Sequence, residues 1–152
     1  MKADVGQVVR SPFPPLDIPS VPIDELVLAH AERLADKPAL VDAATGRTLT
    51  YGALRDQARA FAANLSSCGL RRGEVIAVLM PNLPEYAVVF HGTVLAGGVV
   101  TTVNPSYTAR EVQAQCIDAA ATWLVTVPAC LEVACAAAAG TTVREILVAG
   151  GD

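Results

Sequence analysis

Between residues 74 and 150 the chain alternates between two hydrophobic rhythms, and this alternation restricts the fold more than any other feature of the sequence. EVIAVLM (74–80) is a continuous apolar run, as expected for a strand covered on both faces. PNLPEYAVVFHGTVLAGG (81–98) then reads as a helix. Asn82 is placed to cap it, Pro84 falls in its first turn, Glu85 lies at the positive end of its dipole, and Gly97-Gly98 closes it. VVTTV (99–103) is the next strand, and Thr108-x-x-Glu111 opens the next helix with a capping box. TWLVTV (122–127), a helix over PACLEVACAAAAG (128–140) and a last strand within VREILVAG (143–150) continue the series. Strand–helix repetition of this kind predicts an α/β fold: a parallel sheet with flanking helices and right-handed crossovers.

The part before residue 74 follows other rules. Residues 1–22 read as an extended, proline-rich arm lying on a surface, and residues 23–152 as a partial α/β lobe. IDELVLAHAERLADKP (23–38) places Leu26, Ala29, His30 and Leu34 at helical spacing, with Pro38 marking the end. ALVDAATGRTLTY (39–51) predicts a short hairpin around Thr45-Gly46, outside the parallel pattern. From Thr50 as N-cap, a helix carries Leu54, Ala58, Phe61, Ala62 and Leu65 on one face and stops at Gly69. The chain ends at Gly150-Gly151-Asp152, where a last strand should deliver a loop, so the expectation is the beginning of a longer protein.

Composition narrows the class. At 152 residues, 53% hydrophobic and 17% charged, the chain can bury a sizeable core. Its formal charge is −4 and its cations are dispersed, which disfavours nucleic acid as a partner. The longest apolar run, Ala87 to Val103, is too short for a membrane span and contains His91 and glycines. No apolar signal core opens the sequence, so a cytoplasmic location is expected. Cys68, Cys116, Cys130 and Cys135 lack metal-ligand spacing and read as reduced core thiols.

Candidate chemistry is sparse. Gly92 and Gly97 have Walker spacing, but Gly98-Val99 follows where a phosphate loop needs Lys and Ser or Thr; the glycines read instead as a helix end packed closely on the next strand. His30 and His91 each lie on an otherwise apolar helix and read as satisfied core or interface histidines. Asp24-Glu25 suits the first turn of a helix. TTVNPSYTARE (101–111) could be a phosphate-binding turn or a strand-to-helix corner. Asn104 can bond its own turn, Pro105 holds Asn104 out of the helical region, and the capping box uses up donors, so the corner is preferred. No residue is assigned as catalytic, cofactor-binding or metal-binding.

The same residues carry a resemblance. RTLTYGALRDQARAFAANLSSCGLRRGEVIAVLMPNLPEYAVVFHGTVLAGGVVTTVNPSYTARE (47–111) is similar to the opening region of adenylate-forming acyl-CoA synthetases of the AMP-binding superfamily, in the 4-coumarate–CoA ligase and luciferase-like branch. Leu49-Thr50-Tyr51-x-x-Leu54 resembles the first core motif, and Leu95-Ala96-Gly97-Gly98 through Asn104-Pro105 the second; NPSYTARE and RSPFPPLDIP (10–19) point to the branch. Ala53 departs from the acidic residue often found in the first motif. The resemblance implies the first lobe of a large N-terminal domain in an ATP-dependent, AMP-forming carboxylate–CoA ligase. Such enzymes use ATP, Mg²⁺ and coenzyme A on a carboxylic acid, an aromatic or fatty acid in this branch, through an acyl-adenylate. The family's Ser/Thr-Gly-rich loop ending in Pro-Lys-Gly, its adenine and ribose motifs and its catalytic lysine have no counterpart in residues 1–152. This segment is therefore expected to bind none of these cofactors and to be inactive alone. The alternatives are a non-catalytic interaction module, with a homo-oligomer formed through exposed apolar surface, or an adenylating enzyme with a different acceptor, luciferase-like or carrier-protein loading.

Overall fold

A computed structural model describes residues 11–150. Helices α1 (Ile23–Leu28), α2 (Tyr51–Ser67), α3 (Pro84–Leu95), α4 (Ala109–Asp118) and α5 (Leu131–Ala138) alternate with strands β1 (Pro38–Val41), β2 (Thr48–Thr50), β3 (Val75–Leu79), β4 (Val99–Val103), β5 (Ala121–Thr126) and β6 (Glu145–Val148). The last four strands form one parallel sheet in the order β4-β3-β5-β6, as the alternation predicts, and β1-β2 is a separate antiparallel pair.

β3 explains why its sequence is apolar without interruption. Ile76, Val78 and Met80 join Leu65 of α2, Val89 of α3, Trp123 and Val125 on one face. Ala77 and Leu79 join Val112 and Cys116 of α4, Ala134 and Ala137 of α5 and Leu124 on the other. A period of two sends alternate side chains to opposite faces, and both faces are covered. The buried hydroxyl of Thr126 in β5 donates to the Leu79 carbonyl at 2.8 Å, which removes the cost of placing it there, whereas the buried Thr122 hydroxyl of the same strand has no partner.

α2 starts as its sequence indicates. The Ala53 N–H donates to Thr50 Oγ1, and the remaining donors of the first turn are taken by carbonyls from the segment before the hairpin, Tyr51 N–H by Lys37 and Gly52 N–H by Ala35. That arrangement corrects the expected helix over 23–38. α1 ends at Leu28, and residues 29–36 become successive tight turns, with Ala31 N–H donating to the Leu28 carbonyl, Leu34 N–H to His30 and Ala35 N–H to Glu32, while the Ala35 carbonyl is left to accept from α2. The expected inner face fails accordingly: Leu26, Ala29 and His30 are exposed and Leu34 half-buried, while Asp24 and Ala31 are buried.

Other expectations need smaller corrections. The hairpin turn is longer than a Thr-Gly pair, because Asp42 organises it, accepting from Ala44 N–H and Thr45 Oγ1, while Arg47 supplies the carbonyl for Asp42 N–H. Asn82 does not cap α3; Leu83 occupies that position without a side-chain cap, after a tight Pro81–Leu83 turn. The helix expected over 128–140 begins as a 3-10 turn, Pro128–Cys130, before α5. Residues 11–22 are exposed throughout, and residues 11–21 make no backbone hydrogen bond to the rest of the described chain, so this part of the expected arm does not lie on the lobe, while its first ten residues lie outside the described residues.

Candidate functional site

In open parallel sheets, ligands meet the carboxyl ends of the strands where neighbouring connections leave in opposite directions. Here that point lies between β3 and β5. β3 runs into α3 on one face, and β5 runs through Pro128–Cys130 into α5 on the other. A crevice of about 500 Å³ opens there, lined by Leu83 and Glu85 beyond β3, Val127 and Pro128 beyond β5, Ala149 and Gly150 beyond β6, and Arg47 from the hairpin. A second hollow of about 530 Å³ adjoins it between the hairpin and α3, with Leu83 common to both.

The electrostatics of this rim are closed on themselves. Arg47 grips the Glu85 carboxylate with both guanidinium nitrogens, Nη2 to Oε2 at 2.6 Å. The hydrogen bond from Arg47 holds Glu85 below the usual carboxylate range. Glu85 also occupies the first turn of α3, so one carboxylate answers both the guanidinium and the helix dipole. Pro84 and Pro128, which open α3 and the 3-10 turn, supply no N–H. The crevice thus offers an apolar floor and a spent ion pair, with no array of free donors for a phosphate.

The strongest perturbation lies at the opposite end of the sheet. Glu74, just before β3, accepts from Arg144 (2.7 and 2.8 Å), Arg71 N–H (2.8 Å) and Trp123 Nε1 (3.3 Å). The Arg144 hydrogen bonds foremost pull its pKa down to about 2. Arg144 also stacks on the Trp123 ring, 5.1 Å from its centroid. Displaced carboxyls often mark active sites, but this one ties together the amino ends of β3, β5 and β6, away from the carboxyl ends where open parallel sheets receive ligands, and every partner it has is structural.

The other sequence candidates are scattered. Gly92 is buried where α3 crosses α2, and Gly97, at φ +80°, ends α3 as the sequence predicts. The Asn104–Glu111 corner is built as expected: Ser106 N–H donates to Asn104 Oδ1, Thr108 N–H to Glu111 Oε2, and Glu111 N–H to Thr108 Oγ1. His30 is exposed, which corrects its reading as a core residue. His91 is half-buried with Nδ1 unpartnered, its pKa lowered by burial, and lies away from the crevice lining. Of the four cysteines expected in the core, Cys116 alone is buried and its thiol pKa is raised; Cys130 is half-buried, and Cys68 and Cys135 are exposed. Cys68 follows the last turn of α2, and Cys135 takes the outward side of α5 while Ala134 and Ala137 face the sheet. Among the described residues no three His, Cys, Asp or Glu side chains gather to hold a metal. The crevice itself was missed by sequence reading, because it arises from strand order, and Arg47 and Glu85 lie 38 positions apart.

Comparison with known proteins agrees with this geometry. The AMP-binding enzyme family matches residues 27–151. The chain is 47% identical over 121 residues to 4-coumarate–CoA ligase-like 9 of Oryza sativa subsp. japonica, covering 78% of this chain and 22% of that protein. Among solved structures, a long-chain-fatty-acid–CoA ligase from Archaeoglobus fulgidus superposes with a TM-score of 0.86 at 23% identity, over 94% of this chain and 30% of that one. The N-terminal domain of FACL13 from Mycobacterium tuberculosis superposes at 0.74 with 26% identity, over 83% and 33%. The chain spans about a fifth of the length of the curated relatives it matches. With most of its length matched, from the helix before the hairpin to the end of the parallel sheet, the chain belongs to the AMP-binding enzyme family.

Proposed function

We propose that this chain is the scaffold lobe of an ATP-dependent, AMP-forming carboxylate–CoA ligase, acting on an aromatic or fatty acid in a cytoplasmic setting. The family match carries the reading, and relatives named for 4-coumarate and for a long-chain fatty acid support the two acid classes. Free, unpaired thiols support the reducing compartment. No described helix is long and apolar enough to cross a membrane.

The residues present do not fit ATP or Mg²⁺. No cluster of carboxylates is assembled among the described residues, the glycines with Walker spacing serve helix packing and helix termination, and the donors at the 104–111 corner are engaged. No step of the reaction is therefore assigned to a side chain of this lobe. Its contribution is a rigid sheet, and a rim at the carboxyl ends of its strands on which reactive elements encoded elsewhere would rest.

The experiment is direct. Titration calorimetry of residues 1–152 with ATP and Mg²⁺ is expected to show no micromolar binding, and assays with 4-coumarate or palmitate plus CoA no thioester. Turnover by the purified chain would refute the assignment of the chemistry to other residues.

A further inference from the structure

The segment from Ser11 to Pro22 is unusual in being both well defined by its sequence and unattached. Prolines at 12, 14, 15, 19 and 22 hold their own φ near that of polyproline II and confine the residue before each to extended backbone. The arm is thus pre-shaped, although it makes no backbone bond to the lobe before Pro22, whose carbonyl accepts from Leu26 N–H. It leaves Phe13 77%, Leu16 88% and Ile18 84% exposed.

Its pattern has two sides. With three residues per turn, Leu16 and Pro19 share one edge of the Pro14–Ser20 stretch and Pro15 and Ile18 a second, while Pro14, Asp17 and Ser20 share the third. Two edges are apolar, and the third carries the two polar side chains of the stretch, Asp17 and Ser20. Ser11, Phe13, Pro14, Pro15, Leu16 and Ile18 line a hollow of about 900 Å³ whose walls are mainly apolar. That is the shape of a strap missing what it straps.

The superposition indicates the occupant. The match to the Archaeoglobus ligase covers 94% of this chain, more than the 130 residues from Ile23 to Asp152, so it extends into the arm. This chain corresponds to only 30% of that ligase. We infer that the arm docks, through Phe13, Leu16 and Ile18, on an apolar surface of the ligase body that follows the first lobe, with Asp17 and Ser20 left in solvent. Its preset backbone lowers the entropy lost on docking. The inference rests on the ligase-lobe reading above.

The test places residues 1–152 in the rice 4-coumarate–CoA ligase-like protein in exchange for its matching stretch, and compares this chimera with the isolated chain. The variant is Phe13→Asp/Leu16→Asp/Ile18→Asp. In the isolated chain the triple change is expected to shift Tm by less than 1 °C, because Phe13, Leu16 and Ile18 are exposed there. In the chimera it is expected to lower Tm by 5 °C or more and to speed proteolysis within the arm at least tenfold. A folded chimera indifferent to the triple change overturns the docking while leaving the lobe reading intact. A chimera that does not fold overturns both. An isolated chain that forms a dimer by light scattering, abolished by the triple change, makes a second copy the occupant and overturns the docking proposed here.

Discussion

Glu74 shows how one carboxylate can organise three strands. Its ordinary pKa near 4.5 falls to about 2 because the charged form receives the Arg144 fork, the Arg71 N–H and the Trp123 indole. A depressed folded-state pKa adds stability that is fully present above the unfolded value and lost as pH falls toward the folded one. Arg144 is 43% exposed, so solvent screening reduces the gain. Glu74→Gln is expected to cost about 1 kcal/mol at pH 7 in urea unfolding. The difference from the parent should shrink from about pH 4.5 downward and disappear as pH falls through about 2. A deficit that persisted unchanged at pH 2 would show that packing, not charge, is the contribution.

At the scale of elements, the crossing of α2 and α3 depends on a missing side chain. A Cβ on Gly92 would stand 2.8 Å from the Ala58 carbonyl oxygen and 2.8 Å from Phe61 Cδ1. Alanine in a helix gains up to about 1 kcal/mol over glycine, whereas forcing matter into a packed crossing costs roughly 1–3 kcal/mol. Packing wins: Gly92→Ala is expected to lower stability by about 1–2 kcal/mol, read as a lower urea midpoint with an unchanged slope. Gly92→Ala as a stabilising change would mean the helices separate without penalty. The same two helices carry the hairpin, through Leu49, Leu54 and Val88, so loosening them also loosens Arg47 above the crevice.

Across the whole molecule, protection should follow coverage. β3 and β5 are central, bonded on both sides and buried on both faces, whereas β4 and β6 each have one paired edge. Amide exchange is expected to be slowest in Ile76–Leu79 and Trp123–Thr126, faster in β6, and unprotected in the arm. Comparable protection of the arm and β3 in the isolated chain would contradict the exposed strap. The open β6 edge and the arm both leave unsatisfied surface, consistent with a lobe that is one part of a larger assembly.

Local order was legible in the residues themselves. The double-sided apolar run of β3, the capping pairs at Thr50 and Thr108, and the glycines ending α2 and α3 act over a few positions, so hydrophobic period and hydrogen-bond chemistry determine them directly. The family resemblance was legible for the same reason, since its motifs are these same local corners. Where neighbours in space are far apart in sequence, the reading failed. α1 stops at Leu28 and gives way to tight turns whose end meets the start of α2 through the Ala35 and Lys37 carbonyls, His30 faces solvent, and three expected core thiols are not buried. Strand order, the crevice between β3 and β5, and the pairing of Arg47 with Glu85 were decided by tertiary structure alone, because pairing and burial depend on which segments meet, and no short-range pattern encodes that meeting.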